Sequence, residues 1–305
     1  MVHVFIVNPT VCEKDLAQKL RQRLSLVPKL NYYVLSTREA GHESELVELL
    51  CHFFDNEDIR FYCCGGSGTL RNMLNGFPNM SRAEITCIPY GTCDFLQNFT
   101  GDVSAFKNVE DLIDGKVVNV DYIKTNVGVS LNSVSVGMDS ELIKSTNSLR
   151  GLTIFGKIMP YIIASIYASF ISPNHAYDIT VDNGPTKHEK ITEFFIGNGS
   201  VVGGNMWFAP KAKINDGKVD LSIIKNCYSF ARIGVIRAAT QKRLAEKSSV
   251  AEIRQAEKIR VRRDGGTYFT VNMDGELFST HELVAEVVTK GLRFVVPKGV
   301  DVDDR

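Results

Sequence analysis

The most informative segment of the chain is a short glycine-rich stretch, Gly65-Gly66-Ser67-Gly68-Thr69, between an apolar run and a helical pattern. Glycine lets the backbone take unusual conformations and lets a ligand approach closely. The first amides of a helix have no intrahelical partners and carry the positive end of its dipole. The stretch is therefore suited to phosphate binding. A ligand-free strand–helix turn would have the same sequence, so this stretch alone leaves both interpretations open.

A second glycine turn, Tyr90-Gly91-Thr92-Cys93-Asp94, follows the next apolar run, Ile85–Pro89. The carboxyl ends of neighbouring parallel strands meet at one edge of a sheet, and ligands of open α/β sheets bind there. Alternatively, Asp94 only caps the helix that follows. Two such turns at one edge favour a nucleotide site.

Further motifs along nearly the whole chain resemble the diacylglycerol kinase-type lipid kinases, a family related to sphingosine kinases and NAD kinases. Each motif is weak by itself, whereas their order and spacing are specific. The segments that carry the resemblance are Val7–Pro9, Thr37 with Gly41-His42, Gly65–Thr69 with Leu74–Gly76, Pro89–Thr92 with Asp94-Phe95, Val134–Asp139, Gly203-Gly204, Ala209–Ala212, Asp216–Asp220 and Asp274–Glu276.

The resemblance implies an ATP-dependent lipid kinase with ATP and Mg²⁺ as cofactors and a diacylglycerol-like lipid as substrate. ATP would lie against the first domain, and the lipid hydroxyl would enter a cleft between domains. The implied catalytic base is Glu276, and Asp216 matches a turn that helps hold a metal in relatives. A homodimer and a peripheral membrane contact remain open. The implied nucleotide-binding residues are Asn8, Thr37, Gly65, Gly66, Ser67, Gly68, Thr69, Gly91, Thr92 and Asp94.

Several residues depart from the family pattern at the expected nucleotide pocket. Ser67 stands where the signature Gly-Gly-Asp-Gly-Thr has its acid, Asn72 stands where the next helix usually has Glu, and the second turn is one residue shorter. A hydroxyl has no charge with which to hold Mg²⁺. Two hypotheses follow: a slow or differently specific kinase whose metal is held by Asp94 and Glu276, or a degenerate kinase that binds lipid or nucleotide without turnover.

Other enzyme classes fit less well. A soluble-metabolite kinase of the NAD kinase kind shares the glycine signature, but the run Ala209–Asp220 favours the lipid branch. A dehydrogenase would have a dinucleotide-binding motif with Gly-x-Gly-x-x-Gly spacing after the first strand, and this chain lacks that motif there. The surroundings of Ser67 mimic a hydrolase nucleophile elbow but lack its final glycine.

The elements that position these motifs alternate between strand and helix in the first half of the chain. Val2–Val7 is typical of a strand covered on both faces, and Glu13–Leu24 has helical spacing. A second helix is predicted over Glu43–Phe54, with an apolar stripe formed by Leu46, Leu49, Leu50 and Phe53. Alternation of this kind predicts an N-terminal α/β domain with a parallel sheet, of the NAD kinase and lipid kinase kind.

Residues beyond about 121 have the pattern of an antiparallel β-sandwich. Short β-like runs follow one another, including Gly128–Val136, with helical segments near 151–171 and 229–245. The fold class is therefore α/β plus all-β. We expect a nucleotide-binding domain over 1–121, completed by the tail 295–305, and a lipid-substrate domain over 122–294.

Composition limits the partners and the compartment. The 305 residues include 35 basic and 35 acidic side chains, and a zero net charge argues against a nucleic-acid binder. Seven scattered cysteines without metal-ligand spacing and the absence of a leader pattern favour the cytoplasm. The apolar stretch Ile154–Ile171 is short for a membrane span and predicts a buried or interfacial helix. A peripheral position at the inner membrane surface is the alternative, for which the basic run Lys258–Arg263 is a candidate contact.

Overall fold

The structure, a computed structural model, describes residues 1–100, 103–138 and 174–300. The chain forms two compact units, Met1–Tyr122 with Thr289–Arg305, and Ile123–Val288. Two strands, β5 (Lys116–Thr125) and β15 (Glu282–Val296), contribute residues to both units.

The first unit is an α/β arrangement around a parallel sheet. Residues 293–294 of β15, then β4, β3, β1 and β2, form the sheet in that order, and every neighbouring pair is parallel. Short 3-10 turns lie at Asp94–Leu96 and Val103–Lys107. The parallel sheet predicted from the sequence is confirmed. The helices and strands are β1 (Val2–Val7), α1 (Leu16–Leu24), β2 (Tyr32–Ser36), α2 (His42–Phe53), β3 (Ile59–Gly65), α3 (Ser67–Asn75), β4 (Glu84–Pro89), α4 (Gln97–Thr100) and α5 (Val109–Ile113).

The central strands β1, β3 and β4 are buried along their whole length. Strands covered on both faces have such continuous apolar runs. On one side, Phe294 of β15 stacks on Phe99 with ring centroids 5.3 Å apart, and Phe95 and Phe106 complete this aromatic cluster. This core holds the strand ends, and therefore the turns that follow them, in fixed positions.

Helix α2 is rotated relative to the orientation that its sequence predicts. Glu43 and Val47 are buried and Leu46 and Leu50 are half-buried, whereas Leu49 and Phe53 are 64% and 75% exposed, so the predicted apolar stripe is wrong at Leu49 and Phe53. The reason is a close contact with α3. The Ser44 hydroxyl donates to the carbonyl oxygen of Asn72 at 2.5 Å, and this contact turns the face that carries Glu43 inward.

The second unit is built from antiparallel strands. In its described residues, β14, β13, β7, β9, β8, β12 and β15 lie side by side in that order, and β10 pairs with β9 and β11. This confirms the predicted antiparallel β-sandwich. The elements are β6 (Gly128–Ser130), β7 (Ser133–Gly137), β8 (His175–Val181), β9 (Lys187–Gly197), β10 (Val219–Lys225), α6 (Ser229–Thr240), β11 (Ala251–Ala256), β12 (Lys258–Arg263), β13 (Phe269–Met273) and β14 (Glu276–Thr280).

The predicted strand Gly128–Val136 is two strands, because the chain turns at Leu131 and Asn132. Asp139, the predicted helix at 151–171 and the tail residues 301–305 lie outside the described residues. Among the residues that the structure describes, no helix is long and apolar enough to cross a membrane.

The basic strand β12 is paired with acids across the sheet. Lys258, Arg260 and Arg262 are exposed, and two of them face carboxylates on β15: Lys258 lies 3.6 Å from Glu286 and Arg260 lies 3.7 Å from Glu282. These acids offset the basic charge that a contact with anionic headgroups would use.

Candidate functional site

The two glycine turns of the first unit are joined by hydrogen bonds. The amide and the hydroxyl of Ser67 both donate to the carbonyl oxygen of Thr92, at 2.8 and 3.2 Å. In return, the amide of Tyr90 donates to the carbonyl oxygen of Gly65 at 2.9 Å. A Cβ atom on Gly66 would lie only 3.0 Å from that Thr92 oxygen, so glycine is the residue that fits there. The predicted meeting of both turns at one sheet edge is thus observed.

Helix α3 begins inside the first turn. Its N-cap is Gly66 in an extended conformation, and its first turn contains no acidic side chain. The amide of Ser67 is already bonded to Thr92, whereas Gly68 and Thr69 belong to the first helical turn, whose amides lack intrahelical acceptors. These amides, together with the helix dipole, suit an anion such as a phosphate group.

Asn8, at the end of β1, links the first turn to α2. Its side-chain amide Nδ2 donates to the hydroxyl of Thr69 at 3.0 Å and to Oε1 of Glu43 at 3.2 Å. Its Oδ1 accepts the backbone amide of Thr10 at 3.0 Å. Asn8 and Thr69, both predicted site residues, therefore contact each other, and the buried carboxylate of Glu43 completes the group.

The remaining predicted residues of the first unit lie at neighbouring strand ends. Thr37 follows β2, is buried, and donates its backbone amide to the carbonyl oxygen of Val7 at 2.9 Å.

Asp94 follows the second glycine turn, is 9% exposed, and accepts the side-chain amide of Gln97 at 3.3 Å. Gly91 faces Gly66 across the two turns. A Cβ atom placed on Gly91 would lie 3.5 Å from the Cα of Gly66.

The acidic groups of this unit suit a divalent cation that arrives with a nucleotide. No group of three His, Cys, Asp or Glu side chains with metal-binding geometry occurs in the described ranges. Mg²⁺ is commonly held by one or two carboxylates together with substrate phosphates. Asp94 and Glu43 are buried carboxylates beside the paired turns, whereas the Ser67 hydroxyl is engaged with Thr92. The donor set fits that mode and does not form an all-protein cage.

Glu276, the predicted base, is the first residue of β14 in the second unit. It pairs with Met273 across a two-residue hairpin turn whose residues, Asp274 and Gly275, have φ of 50° and 91°. Two successive positive φ angles define a type I′ turn, which favours glycine at its second position. The half-buried side chain of Glu276 thus emerges from a tightly fixed turn.

Asp274 anchors this hairpin to the turn between β6 and β7. Its carboxylate accepts the backbone amides of Leu131 at 2.8 Å and of Asn132 and Ser133 at 3.0 Å each. Burial raises the pKa of Asp274, and these three hydrogen bonds oppose the shift by favouring the charged form. Asp274 is therefore a positioning residue for the turn that carries Glu276.

Asp216, the predicted metal residue, lies in the turn before β10. Its carboxylate accepts the backbone amide of Lys218 at 3.0 Å and the side chain of Gln255 at 3.4 Å. Nearby Asp220 is buried, and burial, with the charge of Asp216 as a further cause, raises the pKa of Asp220 to about 6. A metal at Asp216 stays a prediction.

Sequence reasoning missed two acids, Glu43 and Asp274. Glu43 follows Gly41-His42 in the first turn of a predicted helix, where an acid usually only complements the helix dipole. Asp274 belongs to the Asp-Gly-Glu motif, but its partners lie more than 140 residues away in the chain. Only the tertiary fold reveals these two roles.

Comparisons with family models cover both units. Residues 132–296 match the YegS C-terminal NAD kinase beta sandwich-like domain, and residues 3–125 match the diacylglycerol kinase catalytic domain. The first of these models alone matches more than half of the chain.

Two relatives in sequence carry the names of lipid kinases. A Bacillus subtilis protein named "Diacylglycerol kinase" is 26% identical over 287 residues, covering 89% of this chain and 88% of that protein. A Shewanella frigidimarina protein named "Probable lipid kinase YegS-like" is 23% identical over 279 residues, covering 87% and 88%.

Solved structures show the same fold. A diacylglycerol kinase from Bacillus anthracis has a TM-score of 0.69 at 20% identity and covers 98% of both chains. A second structure from that organism has a TM-score of 0.76 at 24% identity and covers 98% of this chain and 96% of its own. With paired glycine turns, an Asp-Gly-Glu hairpin and matches to both family models, this chain belongs to the diacylglycerol kinase-type family of lipid kinases.

Proposed function

We propose that this chain is an ATP-dependent kinase that transfers the γ-phosphoryl group to the hydroxyl of a diacylglycerol-like lipid. The observation that carries the proposal is the joined pair of glycine turns, with Ser67 bonded to Thr92 at the start of α3. Membership of the lipid kinase family supports the reaction class.

The paired turns would bind the phosphates of ATP through backbone amides. Gly68 and Thr69 supply amides at the positive end of α3, and Gly66 lets the chain approach closely. Phosphoryl transfer depends on positioning and charge stabilisation more than on covalent chemistry. When bound, Mg²⁺ would neutralise charge on the phosphate oxygens, with Asp94 as a candidate ligand.

Glu276 is the proposed general base. A carboxylate can accept the proton of an attacking hydroxyl when it is held in place beside the substrate. The type I′ turn and the anchoring of Asp274 restrict the backbone from which Glu276 extends. This rigidity is what a base that must align with a lipid hydroxyl requires.

A second candidate is a protein that binds nucleotide or lipid without turnover. It is favoured by Ser67, which has no charge and whose hydroxyl donates to Thr92 instead of facing a metal. The kinase and the nucleotide-binding form of the second candidate both require nucleotide binding at the paired turns, and these two differ only in transfer.

The test is an assay with γ-labelled ATP, Mg²⁺ and vesicles that contain diacylglycerol or other hydroxyl-bearing lipids, with NAD as a soluble acceptor. We expect label in the lipid, and the Glu276→Gln variant should lose at least about 100-fold in rate because general-base catalysis is removed. Glu257→Gln is the control, since Glu257 is an exposed acid of the same unit.

Other outcomes separate the candidates. ATP binding without label in any acceptor would support the protein without turnover, and Ser67→Asp should then create transfer. Label in NAD alone would support the soluble-metabolite alternative. No ATP binding would contradict the kinase and the nucleotide-binding form of the second candidate, and would leave only a lipid-binding protein.

A further inference from the structure

Glu43 is a buried acid beside the proposed phosphate site. Its side chain is 2% exposed, although glutamate is almost never buried without a partner. Its Oε2 accepts the backbone amide of Gly41 at 3.2 Å, and its Oε1 accepts Nδ2 of Asn8 at 3.2 Å. Both partners are neutral groups, so these contacts and the dipole of α2 offset the negative charge of Glu43 without supplying an opposite charge.

The position of that charge is fixed by Asn8. One hydrogen of the Asn8 amide points to Glu43, and the other points to the hydroxyl of Thr69 at 3.0 Å. Because the Thr69 oxygen accepts from Asn8, the hydroxyl hydrogen of Thr69 remains for another acceptor. The carboxylate is thus one side chain away from a hydroxyl in the first turn of α3.

A buried negative charge at this position should discriminate between forms of a nucleotide. Charges in a protein interior are screened much less than charges in water. A metal-free triphosphate at the start of α3 would be repelled by Glu43. A nucleotide that carries a divalent cation would be repelled less, because the cation offsets part of the charge of its phosphates. Ser67, where the family signature has an acid, contributes no charge to this balance.

We propose that Glu43 supplies the negative charge that makes nucleotide binding depend on a divalent cation, in place of the acid absent at Ser67. This inference rests on the proposed nucleotide site but not on catalytic transfer. It assigns Glu43 an electrostatic role that needs no direct bond to the metal.

The test is calorimetric binding of ATP with Mg²⁺ and of ATP with a chelator, to the full chain and to Glu43→Gln. We expect the wild-type protein to prefer the Mg²⁺ form by at least about tenfold, a usual size for coupled binding. In Glu43→Gln this preference should fall to about threefold or less, because metal-free ATP binds more tightly than it does to the wild-type protein. Glu45→Gln, an exposed acid in the same helical turn, should keep the wild-type preference.

A merely structural role for Glu43 would weaken the binding of both forms by the same factor, and that result would overturn the inference. So would a Glu43→Gln protein that fails to fold in a thermal melt, since it would place the role of Glu43 in holding Asn8. The double variant Glu43→Gln with Ser67→Asp should regain the preference for the Mg²⁺ form. A double variant that lacks this preference would also contradict the inference.

The wild-type protein alone separates this inference from the proposed function. Equal affinity for the two forms of ATP would overturn the role of Glu43 and leave the nucleotide site intact. No binding of either form would overturn both the site and the role of Glu43. Preference for the Mg²⁺ form without lipid labelling would keep the inference and remove only the transfer reaction.

Discussion

Ser67 donates two hydrogen bonds to one oxygen, the carbonyl of Thr92, through its amide at 2.8 Å and its hydroxyl at 3.2 Å. The residue that departs from the family signature therefore helps to join the two glycine turns. The same contact leaves no spare Ser67 hydrogen for a phosphate, so the amides of Gly68 and Thr69 must serve any anion bound there.

Gly66→Ala tests the close approach of the two turns. The added Cβ would lie 3.0 Å from the Thr92 oxygen, so the turns must separate. We expect unfolding free energy to fall by about 1–3 kcal/mol, the usual cost of overpacking, and ATP affinity to fall at least about tenfold. Denaturant unfolding and calorimetry measure the two effects.

The control for Gly66→Ala is Gly234→Ala in α6, where a Cβ meets nothing within 4 Å. This change should be neutral or stabilising by up to about 1 kcal/mol, because alanine favours a helix. A Gly66→Ala protein with wild-type affinity for ATP would show that the turns do not form the nucleotide site.

Asp274→Asn tests the anchoring of the hairpin that carries Glu276. Asparagine tolerates the positive φ of 50°. Its side-chain NH2 group, however, is a donor and cannot accept the hydrogen bonds that backbone amides now donate to the carboxylate. We expect a loss of about 2–4 kcal/mol in unfolding free energy, because a half-buried charged acceptor of three backbone hydrogen bonds is lost.

Asp182→Asn is the matched control for that change. Asp182 also has positive φ, at 52°, and also accepts two backbone amides, but it is exposed. Its replacement should cost less than about 1 kcal/mol. Equal costs at Asp274 and Asp182, measured by urea unfolding, would remove the special role of Asp274.

His3 should make the stability of the protein fall in mild acid. Burial, and then the charge of Arg60, lowers the pKa of His3 from 6.5 to about 4, and its Nδ1 lies 2.8 Å from the Tyr62 hydroxyl. Between these pKa values His3 binds a proton in the unfolded chain but not in the folded protein, so stability falls as pH decreases from about 6.5 to about 4. The slope is at most about 1.4 kcal/mol per pH unit.

His3→Gln should flatten this part of the stability curve in denaturant titrations at several pH values. His188→Gln is the comparison, because His188 is exposed and its hydrogen bond to Asp178 raises the pKa of His188. A raised pKa changes stability mainly above about pH 6.5, where stability falls as pH rises, so this replacement should leave the slope at lower pH unchanged. A slope that persists in His3→Gln would assign the acid sensitivity to other groups.

The strand, glycine turn and helix order around Gly65–Thr69 could be predicted because its signals are local. A continuous apolar run predicts a buried strand, and glycines followed by helical spacing predict the turn. The rotation of α2 could not be predicted, since its leucines suggest a different buried face. That rotation is set by the contact of Ser44 with Asn72, which is distant in sequence.

The break in the predicted strand Gly128–Val136 has a similar cause. Val129, Val134 and Val136 have good strand propensity, and the turn is marked only by the weaker signals of Ser130, Asn132 and Ser133, without glycine or proline. The carboxylate of Asp274 accepts hydrogen bonds from the amides of Leu131, Asn132 and Ser133 and so stabilises the turn from a position distant in sequence. Contacts of this range leave no local signature.

Hydrogen–deuterium exchange with and without ATP and Mg²⁺ tests the central claim most directly, because it reports on the backbone amides that are proposed to bind phosphate. We predict slower exchange at the amides of Gly68 and Thr69 and in the second turn around Gly91 when the nucleotide is present. Nucleotide binding that leaves these amides unchanged and protects another part of the chain would contradict the account.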